Sequence, residues 1–171
     1  SRRLRRLYHD LIGRNPTESE QKEFEENARP DRWEQCVEKL LASEELNRYW
    51  AHKWSKWFRL ASPDQEPEVA KQTRSWLQQN LALQSDWQTM TSHQLLAKGD
   101  SHQLGQVGFY RSTQDPRLQA ERFSEIMMGT RLRCANCHDH PLDQWTQNDY
   151  HGLAAIFAKL RYGRVIEELP R

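Results

Sequence analysis

Cys134-Ala135-Asn136-Cys137-His138 places two thiols three positions apart, with an imidazole directly after the second. C-x-x-C-H is the attachment signature of c-type haem. In that chemistry the two thiols add to the vinyl groups on one edge of the porphyrin. The turn between them then carries the next side chain beneath the iron, where the neutral imidazole of His138 is the expected proximal ligand. Other chemistries share the pattern. A thioredoxin-like redox pair would need βαβ surroundings, and no strand alternation is visible here. A structural zinc module could draw on Cys134, Cys137 and two histidines, but His138 and His140 follow the second cysteine too closely for a zinc-finger loop. A plain Cys134–Cys137 disulfide is the simplest alternative. The sequence reading favours one covalently held haem c, with zinc as the competing site.

The residues around this pentapeptide are read more coarsely. His140, two places beyond His138, is expected to tune the iron ligand or brace the loop rather than bind the metal. Trp145 and Tyr150, with Phe157, are expected to wall the macrocycle, since an apolar wall sets solvent access and hence potential. No sixth ligand is legible among His9, His52, His93, His102, His151, Met90, Met127 and Met128. Two roles therefore stay open: electron transfer, or peroxide and gas-ligand chemistry at a five-coordinate iron. For the second, Arg111 and His102 are the distal polar candidates.

The elements that must position this segment read as helices. Thr17-Glu18-Ser19-Glu20 and Asp31-Arg32-Trp33-Glu34 fit capping boxes behind prolines. Ser43 caps a run whose Leu46, Trp50, Trp54, Trp57 and Phe58 share one side, as a core-facing helix requires. Residues 62–67 break the pattern, and further helices are expected over 67–83 and from Ser85 or Asp86 to Ala97. Periodicity is lost from Gly99 to Thr113, which reads as a loop long enough to suspect function. Asp115-Pro116 opens a helix to Met128 that Gly129 stops. Thr146, with Asp149 three places on, starts a last helix with Tyr150, Leu153, Ala154, Phe157 and Leu160 on its apolar face. The expected fold is all-α, an irregular bundle of about six to seven helices around one haem.

Bulk properties bound the rest. At 171 residues one domain is expected, although the chain starts within a helix and ends without a stop signal, as a fragment of a longer exported protein would. Net charge is +1 with both signs interspersed, which leaves no basic footprint for nucleic acid. The Arg2-Arg3-Leu4-Arg5-Arg6 opening reads as the solvated side of a first helix. Mean hydropathy is −1.01, no apolar run is long enough to span a membrane, and no signal peptide is visible. In so polar a chain the seven tryptophans must supply much of the buried area. Cys36 sits inside a helical run and reads as a small buried hydrophobe.

The stretch Arg131-Leu132-Arg133-Cys134-Ala135-Asn136-Cys137-His138-Asp139-His140-Pro141-Leu142-Asp143-Gln144-Trp145-Thr146-Gln147-Asn148-Asp149-Tyr150, continuing through Gly152-Leu153-Ala154-Ala155-Ile156-Phe157, resembles the second planctomycete cytochrome-type domain, the PSCyt family. The opening residues 6–17, Leu40-Leu41-Ala42-Ser43 and Phe109-Tyr110-Arg111 are also similar to that family. The chain departs from the pattern at Met127-Met128 and in carrying His52, His102 and His151. The resemblance implies a haem-carrying domain of large bacterial proteins that are periplasmic or otherwise exported. On the electron-transfer reading, the expected partners are a redox protein or adjacent domains of the same polypeptide.

Overall fold

The computed structural model describes residues 2–58 and 66–163, and among these every regular element is helical. The first is α1 (Arg2–Ile12), whose Leu4, Tyr8 and Ile12 fall four apart and are buried while its arginines face solvent. α2 (Glu18–Glu26) begins on the expected capping box. Thr17 accepts from the Glu20 amide, and the Glu20 carboxylate accepts from the Thr17 amide at 2.7 Å. α3 (Arg32–Leu41) lacks the second box: Asp31 makes no side-chain cap, because Arg29 and Gln35 each donate to its carboxylate at 3.0 Å. Leu4, Tyr8, Ile12 and Leu40 form a small core with Phe24, Trp33 and Leu46 packed around it. Cys36 is half-buried against this cluster rather than fully buried. Burial raises the pKa of its thiol, so it stays protonated and behaves as a hydrophobe.

Arg14 ties the start of α2 to the start of the fourth helix, at Glu45. Its guanidinium donates to Glu20 at 2.8 and 2.9 Å and to Glu45 at 3.0 and 2.8 Å. The hydrogen bond from Arg14 is the main cause that lowers Glu20 from 4.5 to about 2, and it also lowers Glu45. Carboxylates with depressed values stabilise the fold above their unfolded value and lose that contribution as pH falls through the folded one. The expected result is an acid limb of melting temperature running from about pH 4.5 toward pH 2. Arg14→Gln should flatten it. Superimposable acid limbs in the two proteins would refute the assignment.

α4 (Glu44–Trp57), capped by Ser43 through the Leu46 amide, is shared between two cores. Leu46 packs on the first core, and Trp50 Nε1 donates to Leu11 O at 3.1 Å. Ala51, Phe58 and the half-buried Trp54 turn toward a larger core built with α5 (Pro67–Ala82), α6 (Trp87–Leu95) and the later helices. The expected tryptophan stripe is thus only partly core, and Trp57 is 59 % exposed. The break expected at 62–67 lies mostly outside the described residues; of it, Glu66 and Pro67 form the start of α5.

The expected loop from Gly99 to Thr113 is structured. After a bend at Gly99 it forms a 3-10 turn, Gly105–Val107, running into α7 (Gly108–Arg111), which buries Phe109 and Tyr110 in the larger core. Thr73 of α5 bolts it down, with Oγ1 2.9 Å from Val69 O and 3.0 Å from Gly105 O. The glycines are what let the segment lie against α5 and what erase its periodicity. α8 (Pro116–Phe123) starts on the Asp115 cap and loosens into a π turn, Ser124–Met128, which Gly129 ends at φ 69°. α9 (Gln147–Ala158) opens on the Thr146–Asp149 capping box. The architecture is all-α as expected, with nine α-helices among the described residues rather than six to seven.

Candidate functional site

The cysteine segment sits between the π turn and α9 on a 3-10 turn, Leu132–Asn136. A 3-10 turn has about three residues per turn, so positions three apart share a face. Leu132 and Ala135 take the inner face and are fully buried with Tyr150 of α9. Cys134 and Cys137 accordingly take the outer face, where both are exposed free thiols. Cys134 O accepts from the amides of Cys137 (3.3 Å) and His138 (3.4 Å), closing the turn. Two apolar anchors at the right spacing therefore hold two thiols along one edge.

Tyr150 supports the turn from below. It is completely buried, and its hydroxyl donates to Glu121 of α8 at 3.0 Å. Burial, then that carboxylate, raises the phenol to about 12, so it remains a donor at any physiological pH. Trp145 is half-buried against the same small cluster, whereas Phe157 belongs to the larger core. Trp145 and Tyr150 are thus brought together with the cysteine turn, and Phe157 lies deeper.

The two histidines are held differently. His138 is exposed, and its Nδ1 lies 2.7 Å from the carbonyl of Asp139. No described group engages its Nε2. His140 has both nitrogens occupied by backbone: Nε2 is 3.1 Å from Arg131 O, and Nδ1 accepts from the Leu142 amide at 3.3 Å. The carbonyl partner makes Nε2 the donor and fixes the neutral tautomer. In addition the His140 amide donates to Trp145 O at 2.8 Å. His140 is a brace across the loop.

Two residues contribute that the sequence did not single out. Asp139 supplies the carbonyl for His138, while its carboxylate accepts from the Gln147 amide at 2.8 Å. Gln147 Nε2 donates to Asn136 O at 3.2 Å. Together they tie the loop to the first turn of α9. The only prior signal was position, since an acid near a helix N-terminus is stabilised by its free amides.

The donor chemistry suits covalent haem: two accessible thiols on one edge, followed by an imidazole held by a carbonyl with its other nitrogen open. It suits zinc poorly. Among the described residues no group of three or more His, Cys, Asp or Glu converges to hold an ion, and His140 has no lone pair to spare.

A family model described as PSCyt2, protein of unknown function (DUF1549), matches residues 1–162. The chain belongs to the PSCyt2 family. No curated protein and no solved structure matches it. The PSCyt2 description assigns no activity. Of the histidines and methionines considered as a sixth ligand, this PSCyt2 chain buries Met90 in the larger core and half-buries Met127, whose sulfur accepts from Thr91 Oγ1 at 3.5 Å. His102 and Arg111 line a separate cleft that none of the cysteine-segment residues borders. No described helix is long and apolar enough to cross a membrane.

Proposed function

We propose that this chain is a c-type cytochrome domain that holds one haem through Cys134 and Cys137, takes His138 as its proximal ligand, and serves electron transfer. The observation that carries the reading is the asymmetry of the two histidines. His138 Nε2 is open behind two free thiols, while His140 is spent on backbone. When bound, the haem supplies a one-electron iron couple. The chain's own residues do the rest. Cys134 and Cys137 anchor one edge, the Asp139 carbonyl fixes the His138 ring and strengthens it as a ligand, and His140 with Gln147 keeps the loop closed.

Exposure of the attachment face favours electron transfer over turnover. A catalytic haem needs a sheltered distal pocket with polar donors, and His102 and Arg111 line a different cleft. An edge near solvent instead lets a redox partner, or an adjacent domain of the same polypeptide, approach closely. Attachment to C-x-x-C-H takes place outside the bacterial cytoplasmic membrane, so the domain belongs in the periplasm or another exported location.

Mass spectrometry of the denatured chain tests this. Expression with export and a cytochrome c maturation system should yield chain plus one haem. Cytoplasmic expression without that system should yield the bare chain, and Cys134→Ala or Cys137→Ala should weaken or abolish loading. A bare chain from the exported preparation, with stoichiometric zinc by elemental analysis, would overturn the reading in favour of a zinc module.

A further inference from the structure

A second site lies away from the cysteine segment. The bend after α6, the short helix α7 and the chain just after α9 enclose a cleft of about 840 Å³, within the range of small-molecule sites. Val107, Tyr110, Leu160 and Tyr162 give it apolar surface, and Lys98, Lys159 and Arg161 stand around it.

The polar groups of the aromatic residues are already used. Tyr110 Oη donates to Leu95 O at 2.8 Å, and Tyr162 Oη accepts from Gln119 Nε2 at 2.5 Å. Both rings are thus fixed; Tyr110 is 7 % exposed and Tyr162 37 %, so it is Tyr162 that keeps apolar surface for contact. The cations divide in two. Arg111 is matched by Glu66, which accepts from it with both oxygens and is driven to a lower pKa by it. Lys98, Lys159 and Arg161 have no carboxylate within 4.0 Å among the described residues. The one acid lining the cleft, Asp100, accepts from the His102 amide at 2.9 Å, and its carbonyl accepts from the amides of Gln103 (3.1 Å) and Leu104 (2.9 Å). It shapes the loop.

That loop is built rather than slack. Gly99 holds φ +134°, and a Cβ there would meet Leu104 Cδ1 at 2.6 Å. Such a conformation belongs to glycine. Three exposed cations that no described carboxylate pairs line this one partly apolar cleft, and a bound anion would be attracted to all of them.

We propose that this cleft binds a small organic oxyanion ester, a phosphate or sulfate carried on a ring. The charged end meets Lys98, Lys159 and Arg161, and the ring rests on Leu160 and Tyr162. The site is independent of haem attachment, so the failure of either reading leaves the other standing.

Amide-shift titration of the whole chain with phenyl phosphate, phenyl sulfate and phenol tests it. The esters should saturate below about 1 mM at low salt, and uncharged phenol should bind at least about tenfold more weakly. The stronger of the two esters identifies the anion. Lys98→Gln combined with Arg161→Gln should weaken ester binding about tenfold, because both side chains are exposed and the fold does not need them. Arg5→Gln with Lys22→Gln, on the first two helices, should change nothing. Equal binding of phenol and the esters, binding unaffected by the first pair of substitutions, or no shifts at all would overturn the proposal.

Discussion

In the haem-bearing form proposed above, His138→Ala should change the spin and ligation state of the iron, while His140→Ala should leave the ligation intact. The two side chains lie two positions apart in one exposed loop, so composition gives no reason for the difference. Hydrogen bonding does. His138 gives Nδ1 to a carbonyl 2.7 Å away and keeps Nε2 free, which is how a metal-bound imidazole is oriented. His140 would have to abandon Arg131 O and the Leu142 amide to bind iron. Both of those groups lie near solvent and can be rehydrated, so His140→Ala should cost only about 1–2 kcal/mol of stability. Absorption spectra of the reduced single variants, with and without carbon monoxide, measure the outcome. A normal spectrum for His138→Ala beside a collapsed one for His140→Ala would assign the ligand the other way round.

Gly105→Ala should destabilise the fold by about 3 kcal/mol, near the upper end for overpacking a filled interior. A Cβ at this position would lie 2.3 Å from the carbonyl oxygen of Gln72 and 2.6 Å from Trp76 Cβ. The first is helical backbone in α5, which cannot swing aside as a long side chain would. Relief requires the segment to lift off α5. That in turn breaks the contact of Thr73 Oγ1 with Gly105 O and disturbs Phe109, which is 1 % exposed. Chemical denaturation at equilibrium reads the loss directly. Gly152→Ala, where a Cβ meets nothing within 4 Å, is the matched control and should be neutral or slightly stabilising, since alanine is the better helix former. Equal stability of the two variants would show that the 99–113 segment is not wedged as described.

Signals carried by single residues were legible in the sequence. Thr17, Ser43, Asp86, Asp115 and Thr146 all cap helices through their own side chains, because capping is decided within three or four residues. Asp31 failed as a cap because Arg29 and Gln35 compete for the same carboxylate, and local pattern carries no record of that competition. The 99–113 segment shows no helical period in the sequence for a related reason. Its helix is short, and its fit depends on α5, some thirty residues earlier. At the candidate site, the C-x-x-C-H spacing was legible, and the 3-10 turn sets its two thiols on the outer face. The roles of the Asp139 carbonyl and of Gln147 were hidden, since a backbone acceptor has no sequence signature.

Because α4 serves two cores, the chain should loosen in parts rather than as one body. Leu46 and Trp50 fasten α4 to the first three helices, and Ala51, Trp54 and Phe58 fasten it to the rest. The small cluster beneath the cysteine turn shares Leu153 with the larger core and touches none of the first. Native-state hydrogen exchange should therefore divide the amides into two protection classes along the length of α4. Whatever rigidity a tethered group confers at Cys134 and Cys137 should slow exchange in α8, α9 and the turn between them. Amides of α1 to α3 should exchange at an unchanged pace, as a subglobal unit with its own opening free energy.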